Sequence, residues 1–164
     1  LDLADRTIGE IAININPDLA QLRNQWKDAS KVIQSVHISP TGKRAIITAR
    51  GEVFTVPIDE GSTRNITNTG TTREYSALWS PVGDAVAYIA EAREGQTLVL
   101  DNQAGTGDAR EFALGPHFYQ LLAWSKGEYA RIIFQDNHLG LYAIDPATGR
   151  ITHIATGERR DPLS

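Results

Sequence analysis

The sequence predicts an all-β fold built from three consecutive four-stranded antiparallel units. A short phrase containing Ser39, Ser80 or Ser125 occurs three times, and an apolar run follows each copy. The three serines are 41 and 45 residues apart. A period of about 40 residues, made of short strands and turns, is typical of the blades of a β-propeller. We therefore expect a partial β-propeller of three blades, preceded by an N-terminal linker segment.

The first blade follows from its turn residues. Residues 31–39 alternate apolar and polar side chains, and Ser39-Pro40-Thr41-Gly42 has the residue order of a type I turn that ends on a glycine. A glycine there can adopt a positive φ and start the next strand of a hairpin. The remaining strands are predicted at 44–49, 52–57 and 63–67.

The same four-strand cycle is predicted twice more. In the second blade, strands are expected at 73–80, 85–91, 97–101 and 109–114. In the third blade, strands are expected at 119–125, 130–135, 140–144 and 150–155. The phrase Ser125-Lys126-Gly127 lacks the proline and is one residue shorter than its counterparts. We therefore expect the first hairpin of the third blade to turn differently.

The periodicity divides the chain into a linker and a partial propeller. The linker is residues 1–30, in which Leu19, Leu22 and Trp26 have helical spacing. The partial propeller is residues 31–164, with blades at 31–67, 73–114 and 119–155. Propellers close with about four to eight blades. Because the chain has three blades, contains no methionine and opens on Leu1, we expect a piece of a longer protein.

Composition excludes several kinds of function. The 16 basic and 20 acidic residues are close to balance and form no basic patch, so neither nucleic acid nor a membrane surface is an expected partner. The apolar runs are too short to cross a bilayer. The absence of cysteine excludes disulfides, thiolate catalysis and cysteine-based metal sites. No cofactor is expected.

Neither the recurring serines nor the histidines have a catalytic or metal-binding pattern. A nucleophile elbow needs Gly-x-Ser-x-Gly between a strand and a helix, and none of the three serines has it. Ser is favoured at the first position of such a turn for structural reasons. The four histidines show no pair at the helical spacing of a zinc site. We expect no catalytic residue and no metal ligand.

Three side chains are candidates for contact with a peptide. Trp79 and Trp124 precede the turn serine on successive blades, where they can line a channel or, as we favour, pack between adjacent blades. Arg73 stands where a loop leads into an inner strand, as Arg159 and Arg160 do after the third blade. Arginines at such a rim can hold a peptide carboxylate by paired hydrogen bonds.

Longer stretches carry a family resemblance. The three turn phrases resemble the blades of TolB-type propellers. The stretches 34–45, 49–57 and 64–69 resemble the opening of the second propeller of tricorn-type serine proteases. The similarity covers residues 7–101 well and the last blade loosely.

The resemblance implies a large modular protease. Such proteins carry two propellers, a PDZ-like domain and a C-terminal domain with the catalytic serine. Their second, seven-bladed propeller is thought to pass unfolded peptides toward the active site. By this resemblance the chain is a non-catalytic fragment that channels or gates peptide substrates. Its partners are those peptides and the remaining domains of the parent, and its compartment, prokaryotic cytoplasm or periplasm, stays undecided.

Two alternative functions remain open. One is a stand-alone TolB-like propeller that docks protein partners. The other is the propeller cap of a prolyl-oligopeptidase-type enzyme, whose blades share the Trp-Ser-Pro-x-Gly turn. The stretch from Ala49 to Pro57 favours the tricorn-like interpretation. Because three blades leave two sheet faces open, we also expect the isolated chain to self-associate, most simply as two halves of a six-bladed ring.

Overall fold

The computed structural model describes residues 28–93 and 95–157. The predicted linker therefore lies outside the described residues except for 28–30, where a short 3-10 turn begins at Ser30. Arg159 and Arg160 also lie outside the described residues. The division into linker and propeller stays a prediction.

The described part forms three four-stranded antiparallel sheets in chain order, which confirms the predicted all-β fold class. The first blade contains β1 (Ile33–Ile38), β2 (Arg44–Ala49), β3 (Glu52–Pro57) and β4 (Arg64–Asn65). The second contains β5 (Arg73–Trp79), β6 (Ala85–Ala92), β7 (Gly95–Asn102) and β8 (Arg110–Gly115). The third contains β9 (Tyr119–Trp124), β10 (Ile132–Asp136), β11 (Gly140–Ile144) and β12 (Ile151–Thr156).

The outer strand of the first blade is shorter than predicted. The sequence predicts residues 63–67, but β4 holds only two residues. The hydroxyl of Thr67 accepts the backbone N–H of Val53 at 3.1 Å, where a longer strand would offer a carbonyl. The side chain of Asn65 accepts the N–H of Asn68 at 3.1 Å. Short polar side chains that bond to nearby backbone groups compete with the strand ladder and end it.

The turn phrases fold as predicted in the first two blades. The N–H of Gly42 donates to the carbonyl of Ser39 at 2.9 Å, and the N–H of Gly83 donates to that of Ser80 at 3.0 Å. Both glycines have a positive φ, 69° and 80°. The sequence at these turns therefore sets the first hairpin of each blade.

The third blade turns differently, as expected, and its connection is longer than that of the first blade. The N–H of Ser125 bonds to the carbonyl of Arg131, whereas that of Ser39 bonds to Arg44. The connecting loop thus has one residue more than in the first blade. Without the proline to fix φ at the second position, the chain makes its turn later, between Gly127 and Ala130.

Two apolar clusters hold the blades together. The first interblade cluster joins blades one and two and contains Ile46, Val53, Ile66, Ala77, Trp79, Val86, Tyr88 and Val99. The second interblade cluster joins blades two and three and contains Leu78, Ala87, Ile89, Leu98, Leu100, Tyr119, Leu121, Ile132, Phe134 and Ile144. The middle blade therefore buries both of its faces.

Each following blade also contacts the outer part of the blade before it, at Ile66 directly after β4 and at Phe112 on β8. A Cβ added to Gly105, in the loop between β7 and β8, would lie 2.7 Å from the carbonyl oxygen of Ile66. A Cβ added to Gly149, in the loop between β11 and β12, would lie 2.5 Å from the ring of Phe112. We call these two close approaches the outer-strand contacts. They require residues without a side chain.

Replacing Gly105 by alanine is predicted to destabilise the chain more than replacing Gly42. Both residues have nearly the same positive φ, 65° and 69°, but a methyl group added to Gly42 would have no neighbour within 4 Å. The shared backbone strain costs about 1–2 kcal/mol in each variant. The clash with Ile66 adds about 1–3 kcal/mol in Gly105→Ala alone. Urea unfolding of both variants measures the difference, and equal losses would contradict the outer-strand contact.

Candidate functional site

The three innermost strands lie side by side and run in the same direction. The early residues of β1, β5 and β9 border one open groove, and their last residues border another. We call the first groove the arginine rim, defined by Gln34, Ser35, Arg73, Tyr75, Ser76 and Gln120. We call the second the tryptophan rim, defined by His37, Ile38, Trp79, Leu122, Trp124 and Lys126.

The tryptophan rim is a mainly apolar groove of about 320 Å³ across all three blades. Trp79 borders it but is only 3% exposed, because its ring packs in the first interblade cluster. Trp124 is half-buried against the second cluster. Leu122 is exposed and sits where the register between β9 and β10 shifts. The groove therefore offers apolar contact chiefly through Ile38, Leu122 and Trp124.

The indole N–H of Trp79 is buried and has no hydrogen-bond partner within the described part of the chain. A buried Trp N–H usually finds an acceptor. Sequence reasoning placed Trp79 at this end of the blade, and the structure adds that its polar atom is unsatisfied there.

The recurring serines are held by turn hydrogen bonds. The hydroxyl of Ser80 donates to the carboxylate of Asp84 at 2.6 Å and accepts the N–H of Ala85 at 3.2 Å. The hydroxyls of Ser39 and Ser125 accept the N–H groups of Arg44 and Arg131. Within residues 28–93 and 95–157, no histidine bonds to any of these serines. The three serine hydroxyls therefore stabilise hairpin turns.

The arginine rim carries a half-exposed positive charge in a fixed position. Nη1 of Arg73 lies 3.0 Å from Oε2 of Glu91, and its guanidinium carbon lies 5.0 Å from the centre of the Tyr75 ring. The hydroxyl of Tyr75 donates to Oε1 of Gln96, which also accepts the N–H of Tyr119 in the third blade. Arg73 uses one of its donors on Glu91, and guanidinium carries five. The others can meet a carboxylate.

Glu74 is a buried acid next to this rim, and the sequence analysis did not single it out. It is 2% exposed, and its Oε1 accepts the hydroxyl of Thr69 at 2.6 Å. Its Oε2 has no partner among the described residues. Burial raises the pKa of Glu74, and the nearby charge of Glu52 adds to that, whereas hydrogen bonds from Thr69 and Thr67 oppose it. The alternation along β5 puts Arg73 outside and Glu74 inside.

Asp136 is a second acid that the sequence analysis did not single out. Its carboxylate accepts the N–H groups of Gly140 and His138 and the hydroxyl of Tyr142, at 2.7, 2.8 and 2.9 Å. Burial acts to raise the pKa of Asp136, but these hydrogen bonds outweigh it and hold the pKa below its usual range. The residue closes the hairpin between β10 and β11. The turn sequence from Asp136 to Gly140 is the signal that could have identified it.

The histidines are distributed over the molecule. The rings of His117 and His138 are 4.5 Å apart at their centres, whereas His37 borders the tryptophan rim and His153 lies on the outer strand β12. In the described part of the chain, no three His, Asp or Glu side chains come together as metal ligands would. The same residues include no helix long and apolar enough to cross a membrane.

Comparison with known proteins identifies the fold. No protein-family model matches the sequence, and no curated protein matches it. Among solved structures, a putative TolB from Agrobacterium tumefaciens superposes with a TM-score of 0.63 at 15% identity, over 76% of this chain and 46% of that one. TolB from Acinetobacter baumannii gives 0.61 at 13% identity, over 74% and 31%.

A chain of the mitotic checkpoint complex also superposes, with a TM-score of 0.59 at 14% identity over 91% of this chain and 47% of that one. The chain thus spans less than half the length of each of these three structures. At these identities the likeness concerns the fold. The chain is a partial β-propeller, and its blades are similar to those of TolB.

Replacing Glu74 by glutamine is predicted to change how stability depends on pH. Because the pKa of Glu74 is raised in the folded chain, the folded state keeps a proton that the unfolded chain has already released. The free energy of unfolding therefore falls as pH rises from the ordinary glutamate pKa through the raised one. The Glu74→Gln variant has no carboxyl to titrate at this position. Its free energy of unfolding relative to the wild type therefore rises as pH increases from the ordinary glutamate pKa through the raised one.

Urea unfolding at several pH values tests this, with Glu60→Gln at an exposed turn as the matched control. The control profile should run parallel to that of the wild type. A Glu74→Gln profile that is also parallel would contradict the role given to the buried carboxyl.

Proposed function

We propose that the chain is the non-catalytic propeller part of a tricorn-like serine protease and guides unfolded peptides toward a catalytic domain outside this chain. The observation that carries the proposal is the difference between the two rims. Leu122 and Trp124 make one end of the inner-strand wall apolar, and Arg73 makes the other end polar and positively charged. The resemblance of residues 34–57 to tricorn-type propellers supports the kind of parent.

The inner strands supply recognition that does not depend on peptide sequence. β1, β5 and β9 each stand at the edge of their sheet, so one side of every inner strand carries backbone groups that no other strand of the described residues pairs. An extended peptide can bond to such an edge through its own main chain. Unfolded substrates share a main chain and little else, which suits this surface to them.

The side chains at the two rims add a preferred orientation. The free donors of Arg73 suit a terminal carboxylate, and the apolar groove suits a large side chain farther along the peptide. Since Ser39, Ser80 and Ser125 are engaged in their turns, the chain alone is expected to show no peptidase activity. Hydrolysis that co-purifies with the chain and resists serine-protease inhibitors would contradict this.

A second candidate is a stand-alone propeller that docks a folded protein partner. Its support is the structural similarity to two TolB structures. The coding sequence downstream of this segment separates the candidates. A PDZ-like domain followed by a serine peptidase domain supports the protease gate. A reading frame that ends after further blades supports the docking propeller, and an α/β-hydrolase domain supports a prolyl-oligopeptidase-type cap.

Peptide binding is predicted to depend on both rims. With a fluorescein-labelled unstructured peptide, Arg73→Ala should weaken binding roughly 1.4- to five-fold, since an exposed ion pair contributes about 0.2–1 kcal/mol. The same variant should bind the amidated peptide as well as the free acid. Leu122→Ala should weaken binding of both forms, because it removes apolar contact from the groove.

Fluorescence anisotropy measures these affinities, and two exposed residues near the outer edge of the third blade provide controls. Arg150→Ala matches Arg73→Ala, and Ile151→Ala matches Leu122→Ala. Neither control should change binding. Unchanged binding by both rim variants would refute the proposed peptide path.

A further inference from the structure

The two contacts between blades repeat one arrangement. In each, a glycine from the loop before the outer strand of one blade covers an apolar residue on, or directly after, the outer strand of the preceding blade. Gly105 covers Ile66, which is 6% exposed, and Gly149 covers Phe112, which is half-buried. The guanidinium of Arg110 strengthens the second contact by donating to the carbonyl of Ala147 at 2.8 Å.

Within residues 28–93 and 95–157, one half of this arrangement has no partner at the first blade and the other half has none at the third. On β12, Ala155 pairs with Leu141 as Phe112 on β8 pairs with Leu98, and the bulged residue beside Ala155, Ile154, is 50% exposed. Gly61 has the place before β4 that Gly105 has before β8, and its nearest contacts are within its own blade, to Pro57 and Arg44. Among the described residues, the loop at Gly61 in the first blade therefore contacts no other blade, and no loop covers the outer strand β12 of the third blade.

The sheet faces beside the Gly61 loop and beside Ile154 are also uncovered by any other described residue, and both faces carry apolar side chains. The cross-strand register places Val36, Ile47 and Phe54 in one row on the face of the first blade that points away from the second. Ile38 belongs to this face as well, in the place of Trp79 and Trp124, and it is 60% exposed. On the second blade, the corresponding face packs against the first blade.

The uncovered face of the third blade corresponds to the face through which each of the first two blades contacts the next blade. The register places Ile133 beside Ala143 on this face, and Leu141 follows on the same side of β11. The first blade meets the second through the corresponding side, which carries Ile46 and Val53. One chain therefore carries both sides of a contact between blades. We call the face of the first blade with Val36 the receiving face and the face of the third blade with Ile133 the presenting face.

We infer that two copies of this chain associate head to tail, the first blade of each against the third blade of the other. The Gly61 loop of one copy covers Ile154 of its partner, continuing the outer-strand contacts, and the apolar row at Val36 meets the face at Ile133. Two such contacts close a ring of six blades, within the range of about four to eight that propellers use. The inference concerns the chain on its own; in the longer protein of the proposed function, further blades would cover the same two faces.

Light scattering coupled to size exclusion tests the association over a wide range of concentrations. The expected species is a dimer with twice the 18.0 kDa mass of one chain. Val36→Asp blocks the receiving face and Ile154→Asp blocks the presenting face, so each variant alone should be a monomer. Val82→Asp, at a turn position that is 74% exposed, is the matched control and should remain dimeric.

Mixing the two blocked variants gives the sharpest test. Each retains the face that the other lacks, so the mixture should form a heterodimer through one intact contact although neither variant associates alone. Val36→Ser and Ile154→Ser repeat the experiment without a new charge, in case aspartate prevents folding. A wild-type monomer, an open-ended polymer, or a mixture that stays monomeric would overturn the inference.

Discussion

The structure depends on one constraint, which is that a blade of this protein is apolar on both faces. In the middle blade, Val86 and Val99 point one way and Ile89 and Leu98 point the other, and all four are buried. A single four-stranded sheet cannot remove both faces from water. Burial of apolar surface is the main favourable term in folding. Each blade therefore needs a neighbour on both sides, and the turns, glycine contacts and loop lengths serve that stacking.

The same stacking produces the candidate site. Because successive blades meet face to face, their innermost strands come together in one direction and leave a free backbone edge on each. The turn residues at the ends of these strands then gather in two grooves of different chemistry, one with Leu122 and Trp124 and one with Arg73. The site belongs to no single blade. Its recognition of a peptide is a proposal, and it follows from the arrangement of edges rather than from a catalytic group.

Much of this fold follows from local sequence. Turn residues fix the hairpins, so the predicted bounds of β2, β3 and β11 agree with the structure to the residue. What the sequence did not show depends on contacts between distant residues. β4 ends early because Thr67 bonds to Val53 in another strand, and Glu74 is buried by neighbours from the first blade. Arg73 was recognised as a rim residue, but its ion pair with Glu91 arises only when β5 pairs with β6.

Hydrogen exchange measured strand by strand tests the two-sided packing most directly. At concentrations where the chain is monomeric, the amides of β6 and β7 should exchange only through global unfolding, because both faces of the middle blade are covered. The corresponding central strands of the third blade, β10 and β11, have one covered face and should exchange faster. Equal protection of the three blades, or fastest exchange in the middle blade, would contradict the account.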